Sequence, residues 1–196
     1  MNVNALSATL LIALLATGGC SSRTDSTQQA ERINNAKIDK QAVAVSSDAK
    51  DDAKDVTKAM VELANTSRTE LELSNVAARK ATNPEVRAFA LRAVSDHGQD
   101  DRQLETLAKQ MNVTLPADLS DKGKSHLSKL TGMKASTEFD TQYLDYMAAV
   151  NDEALDAADK LRDNAPTDAV KTFAKKIMDD DKKHKAQAKQ LKNVLD

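Results

Sequence analysis

The chain has 196 residues, with 28 lysines and arginines against 30 aspartates and glutamates, no tryptophan, five glycines and three prolines. Charge that nearly cancels, with no basic block or aromatic-interleaved patch, points away from nucleic acid as a partner, and scarce glycine and proline with 30% charged residues describe one helical domain. Cys20 is the single cysteine, so no intramolecular disulfide is possible.

The first residues read as an address. Ala5 to Ala16 is an apolar run too short to cross a bilayer as a helix, and Thr17, Gly18 and Gly19 follow it before Cys20, which describes a signal peptide over residues 1–19. The cysteine after Gly-Gly resembles the lipobox of bacterial lipoproteins, in which the cysteine is diacylated and becomes the first residue. Thr17 stands where a lipobox usually has leucine, and no lysine or arginine precedes the apolar run. The expectation is attachment to membrane through a lipid on Cys20; with Ser21 and Ser22 following, the resemblance implies a periplasm-facing outer membrane lipoprotein. Cleavage near Gly18 or Gly19 would instead leave a soluble periplasmic protein. Residues 20–55 are poor in large apolar side chains and rich in polar ones, so they are expected to form a flexible linker with partial helicity around Ala30 to Val45.

From Val56 the period becomes helical. Met60, Leu63, Ser67, Glu70, Ser74, Ala77 and Ala81 recur at three and four residues. Asn83-Pro84 is a cap followed by a first-turn proline and opens a second helix, with stripe Val86, Phe89, Ala93, His97, Asp100 or Asp101, Leu104, Leu107 and Met111. So short a connection predicts an antiparallel hairpin. Asn112 to Ser136 forms a long crossover with a short helix, Ser120 to Leu130. A third helix, about Thr137 to Arg162, carries Phe139, Tyr143, Met147, Val150, Ala154, Ala158 and Leu161. After the turn Asn164-Ala165-Pro166-Thr167, a fourth carries Val170, Phe173, Ile177, Asp181, His184, Ala188, Leu191 and Leu195. The predicted class is all-α, with two hairpins joined by the crossover over residues 56–196. Val86-x-x-Phe89-Ala90 matches Val170-x-x-Phe173-Ala174, which hints at a duplicated unit.

Glu70, His97, Asp181 and His184 each fall where a core residue belongs, and charged groups are rarely buried without partners. Glu70 and His97 lie about a dozen residues either side of the first hairpin turn, and Asn151 and Asp181 lie similarly about the second. If both turns close the same end, these four share a layer, with Asp100 and His184 one turn away.

The chain also resembles a known family. Glu70-Leu-Glu-Leu, Asn83-Pro-Glu-Val-Arg-Ala-Phe-Ala, Asp96-His97, Val113-Thr-Leu-Pro116, Phe139-Asp140-x-x-Tyr143 and His184 look like the bacterial ferritin-like outer-membrane-protein domain of unknown function, DUF4142, from about Val56 to Asp196. The resemblance implies a ferritin-like four-helix bundle in exported proteins and no established activity. It also implies a glutamate and three histidines facing the bundle centre; Glu70, His97 and His184 match, and Asn151 stands in place of the third histidine.

Two readings of the layer follow. In one, Glu70 bonds His97 and Asp181 bonds a neighbour, and the hydrogen-bonded layer fixes helix register. This reading is favoured, with a non-enzymatic envelope or stress-related role. In the other, Glu70, His97, Asp181 and His184, with Asp100 and Asn151 nearby, bind one transition-metal ion such as zinc, copper or iron. Asp181-x-x-His184 echoes the Glu-x-x-His pair of ferritin-like carboxylate proteins, but the third helix offers no carboxylate on its stripe, which disfavours a di-iron centre. No nucleophile with its base, phosphate loop or nucleotide fingerprint is present, so any enzymatic reading is a metal-dependent oxidoreductase. Asp96, beside His97, either orients its imidazole or faces solvent as an ordinary helix residue, His126 is expected to be exposed, and Tyr143 and Tyr146 have no predicted partner.

Overall fold

The structure is a computed structural model that describes residues 24–40 and 46–195. Its helices are α1 Ser26–Lys40, α2 Ser47–Lys80, α3 Pro84–Gln110, α4 Asp121–Gly132, α5 Thr137–Asp163 and α6 Asp168–Leu195, and among the described residues there is no strand. The predicted signal peptide and Cys20 lie outside the described residues. No described helix is long and apolar enough to cross a membrane.

The helices start where the capping residues place them. Asn83 accepts hydrogen bonds from the amides of Glu85 and Val86 at 2.8 and 3.2 Å, Ser120 from Gly123 at 3.1 Å, Ser136 from Phe139 at 3.3 Å and Thr167 from Val170 at 3.3 Å. Each satisfies amides that have no partner within the helix. The predicted stripes face inward, and Phe89, Phe139, Tyr143 and Phe173 are all buried.

α2 packs on α3 and α5, α5 on α6 and α3 on α6, which closes the four long helices into a ring. Their core has two apolar halves. One gathers Met60 and Leu63 of α2, Leu104 of α3, Leu161 of α5 and Phe173 of α6. The other gathers Leu73 of α2, Phe89 of α3, Tyr143 and Met147 of α5 and Leu191 of α6. The first half thus joins the start of α2 to the end of α3, and the end of α5 to the start of α6. Neighbours in the ring run antiparallel, and the turns at 81–83 and 164–167 close opposite ends.

That arrangement corrects the expected condition for a shared layer, which was that both turns close one end. The layer forms because His97, Asn151 and Asp181 lie near the middle of their helices and Glu70 lies about as far before the first turn as His97 lies after it, so at about 1.5 Å rise per residue the four stay level although the turns close opposite ends. The crossover makes the opposed turns possible by running from one core half to the other. Along the way the Ser120 amide donates to Asn65 Oδ1 at 2.8 Å, and Leu130 enters the second apolar half. α4 approaches α2 closely at Gly123, where a Cβ would stand 2.7 Å from Thr69 Oγ1. Asn112, with φ 55°, makes the left-handed step out of α3, a conformation asparagine tolerates.

Asp140, quoted above within a sequence motif, is a structural residue. Its buried carboxylate accepts from the amides of Thr82 and Asn83 at 3.0 and 2.7 Å and from the Thr82 hydroxyl at 2.6 Å, so α5 holds the turn between α2 and α3.

The flexible linker expected over residues 20–55 is corrected on the described part. Residues 26–40 form α1 and residues 47–55 extend α2, both packed together. Few apolar side chains are needed because the anchor is polar. Buried Asn34 donates through Nδ2 to Thr114 O at 2.9 Å and accepts from the Thr114 amide at 2.8 Å, as a strand backbone would. Lys37 adds bonds to Asn112 O at 2.9 Å and Thr114 Oγ1 at 2.8 Å. Asn34→Ala leaves both Thr114 groups without their partner, at a cost of about 1–3 kcal/mol. The expected result is faster amide hydrogen exchange in α1 with little change in the centres of α3, α5 and α6.

Candidate functional site

Between the apolar halves lies a polar layer: Thr66, Ser67 and Glu70 of α2, His97 and Asp100 of α3, Asn151 of α5, and Asp181 and His184 of α6, all buried. Periodicity places these residues inward, and their common level between the two apolar halves brings them together. Ser67 Oγ donates to His97 O at 3.2 Å, which fixes the level of α2 against α3.

Glu70 sits at the centre of the hydrogen bonding. Its Oε1 accepts from Asn151 Nδ2, and its Oε2 lies 3.3 Å from His97 Nδ1. Burial, reinforced by the charge of Asp181, holds its carboxyl well above the usual range. Burial, followed by His184 and then Lys176, pushes His97 down to about 3, so its imidazole is neutral at ordinary pH. With Nδ1 engaged by Glu70, the Nε2 atom is left, and among the described residues it has no hydrogen-bond partner.

His184 repeats the arrangement with its nitrogens exchanged. Nε2 lies 3.1 Å from Asp96 Oδ2, whereas buried Nδ1 has no hydrogen-bond partner among the described residues. The His97 and His184 rings are 5.0 Å apart between centroids. One ligand atom each from His97, Asp181 and His184 falls within 4.8 Å of the others. A carboxylate on one imidazole nitrogen orients the ring and leaves the other nitrogen free, the usual support for a metal-ligating histidine.

The sequence-derived site is therefore reassigned in part. His97, Asp181 and His184 come together as possible ligands. Glu70 is engaged by His97 and Asn151, and it orients rather than completes that trio. Asn151 supports Glu70, with its own Oδ1 buried and without a hydrogen-bond partner among the described residues. Asp100 is buried and paired with Lys176. Asp96, expected beside His97, instead reaches across to His184. That pairing depends on how α3 faces α6, which no spacing within one helix reveals.

Lesser expectations also change. Tyr143 shares a 2.9 Å hydrogen bond with Ser74. His126 is partly buried rather than exposed, with its ring 4.2 Å from that of Tyr146 between centroids. A small cavity beside the layer, about 10 Å³ by the volume open to a water's centre, is lined by Glu70, His97, Asp100, Phe173, Ile177 and Asp181.

These features define an all-helical domain with buried imidazoles and carboxylates at its middle. The chain belongs to the DUF4142 family, described as a domain of unknown function, whose model matches residues 27–191. No curated protein matches it. Among solved structures, it is similar to a DUF305 fragment from Deinococcus radiodurans, with 14% identity, a TM-score of 0.63, and coverage of 71% of this chain and 96% of that one. A DUF305 protein from Streptomyces coelicolor, named as a candidate secreted protein, gives 11% identity and a TM-score of 0.62 over 71% and 92% of the two chains. A conserved hypothetical protein from Mycobacterium tuberculosis gives 11% identity and a TM-score of 0.58 over 72% and 93%. At such identities the likeness is one of fold alone.

Burial, with Asp100 and Asp180 nearby, pushes Asp181 up to about 8 from its ordinary 3.8. The folded protein therefore holds this proton more tightly than the unfolded chain does. Its contribution to stability is fully present below about pH 4 and is lost as pH rises through about 8. Asp181→Asn, which does not titrate, is expected to melt higher than the metal-free parent, by more at pH 8 than at pH 5. A gain of about 1 kcal/mol would appear as about 2–4 °C in a thermal melt of each protein with chelator.

Proposed function

We propose that this is an exported, ferritin-like four-helix bundle of the bacterial cell envelope that holds one divalent transition-metal ion in its core. His97 Nε2, His184 Nδ1 and an Asp181 carboxylate oxygen would bind the ion, with Glu70 and Asp96 orienting the two imidazoles. One observation carries the reading: one ligand atom each from His97, Asp181 and His184 falls within 4.8 Å of the others, and each of the two imidazoles keeps a buried nitrogen that has no hydrogen-bond partner among the described residues. A hydrogen-bonded layer serving only helix register would satisfy those nitrogens, because buried polar groups left unpaired cost free energy.

Two imidazoles and a carboxylate suit zinc, copper or iron, whereas calcium and magnesium favour oxygen ligands alone. Asn151, where a further ligand would be needed, supports a single ion rather than a pair. The cavity beside the site has room for about one water, which favours holding an ion over processing an organic substrate. The role is thus non-enzymatic metal holding, and no catalytic residue is assigned. Export and attachment rest on residues 1–19 and on a lipid at Cys20.

Metal analysis by mass spectrometry tests the reading on the full chain expressed with its leader and without a histidine tag. Near-stoichiometric metal is expected, with loss in a His97→Ala, His184→Ala variant. Free metal at 100 times Kd should add about 2.7 kcal/mol to stability. An empty parent that gains no thermal stability from zinc, copper or iron would overturn it. Separately, Cys20→Ser is expected to move the protein from the membrane fraction to the soluble periplasmic fraction, and unchanged fractionation would argue against lipidation.

A further inference from the structure

Asp100 lines the same small cavity as His97 and Asp181, and it is only 3% exposed. It follows His97 by three residues on α3, as His184 follows Asp181 by three on α6. Each helix therefore carries one imidazole and one carboxylate on a single face. Asp100 nevertheless stands outside the converging trio, because its Oδ1 accepts from Lys176 Nζ.

Lys176 has a second partner, Asp180 Oδ2 at 3.1 Å, and its side chain is 35% exposed. It thus stands at the rim, between buried Asp100 and solvent. Losing Asp100 would not leave its ammonium unpaired. On the inner side, His97, whose buried Nε2 has no hydrogen-bond partner among the described residues, lines the same cavity as Asp100. Glu70, Asp100 and Asp181 all line this cavity, so three carboxyl groups converge where a divalent cation would be complementary.

We propose that Asp100 is a latent fourth ligand, held by the Lys176 ammonium in the metal-free protein and turned into the shell of a bound divalent ion while Lys176 stays paired with Asp180. This rests on the metal-holding reading above. The exchange replaces one cation by another at Asp100, so the carboxylate is never left buried and unpaired, the costly alternative. Lys176 then acts as an internal competitor that sets the affinity the ion must exceed. The completed shell has two nitrogens and two carboxylates, supplied by α3 and α6 alone.

The test uses the full chain, stripped with chelator and titrated with cobalt(II), whose visible absorption reports ligand number and type. The variants are His97→Ala, Asp100→Asn, Lys176→Met and the Asp100→Asn, Lys176→Met pair, each first shown to fold by its metal-free melting curve. Asp100→Asn is expected to weaken cobalt(II) binding about tenfold or more and to alter the spectrum. Lys176→Met should tighten binding, and the double variant should follow Asp100→Asn. If His97→Ala loses the ion while Asp100→Asn keeps parental affinity and spectrum, the site stands and the role of Asp100 is overturned. Weaker or unchanged binding in Lys176→Met also overturns it. Undiminished binding in His97→Ala removes the metal-holding reading itself.

Discussion

The carboxylate of Glu70, fixed between the Asn151 amide and the His97 imidazole, is the constraint on which the rest of the centre depends. It joins α2, α3 and α5 at one level, and by engaging Nδ1 it leaves Nε2 as the His97 nitrogen without a partner among the described residues. Placing a carboxyl there sacrifices hydrophobic burial for orientation, and a well-packed apolar replacement is often as stable as a buried polar group or more so. The metal-holding reading gives that sacrifice a purpose, because an oriented imidazole is useful only to something that takes its free nitrogen.

Around this point, each structural role falls to a different residue. Ser67 fixes the level of α2 against α3, Asp140 closes the turn between them, and Asn34 clips α1 to the start of the crossover. Asp140 and Asn34 do so by presenting a side-chain acceptor or amide to backbone groups outside the helices, whereas the Ser67 hydroxyl donates to a carbonyl in the middle of α3. A chain this poor in aromatic residues gains its precision from such polar staples, within a core otherwise made largely of alanine, leucine and valine.

Much of this was legible before any coordinates. The three- and four-residue spacing identified the buried face of each long helix, down to Glu70, His97, Asp181 and His184, and Asn83-Pro84 marked a helix start. Three things were not legible. Whether hairpin turns share an end depends on the path of the crossover, which local periodicity does not encode. The match of Asp96 to His184 rather than His97 depends on the facing of two helices from different hairpins. α1 reads as a tether because its apolar face is thin, while the paired amide bonds between Asn34 and Thr114 span 80 residues and leave no periodic trace.

The seam between α3 and α6 has a mechanical meaning. These helices belong to different hairpins, no turn joins them, and they meet less extensively than any other pair in the ring. All the proposed ligands come from this one seam. An ion bound there would be a reversible cross-link between the two halves of the chain, a removable rivet at mid-height where covalent sulfur chemistry is ruled out by a lone cysteine near the N-terminus. Loading and unloading would then switch the bundle between a clamped body and a pair of hairpins freer to part along one line, so that metal supply would govern stiffness as well as occupancy.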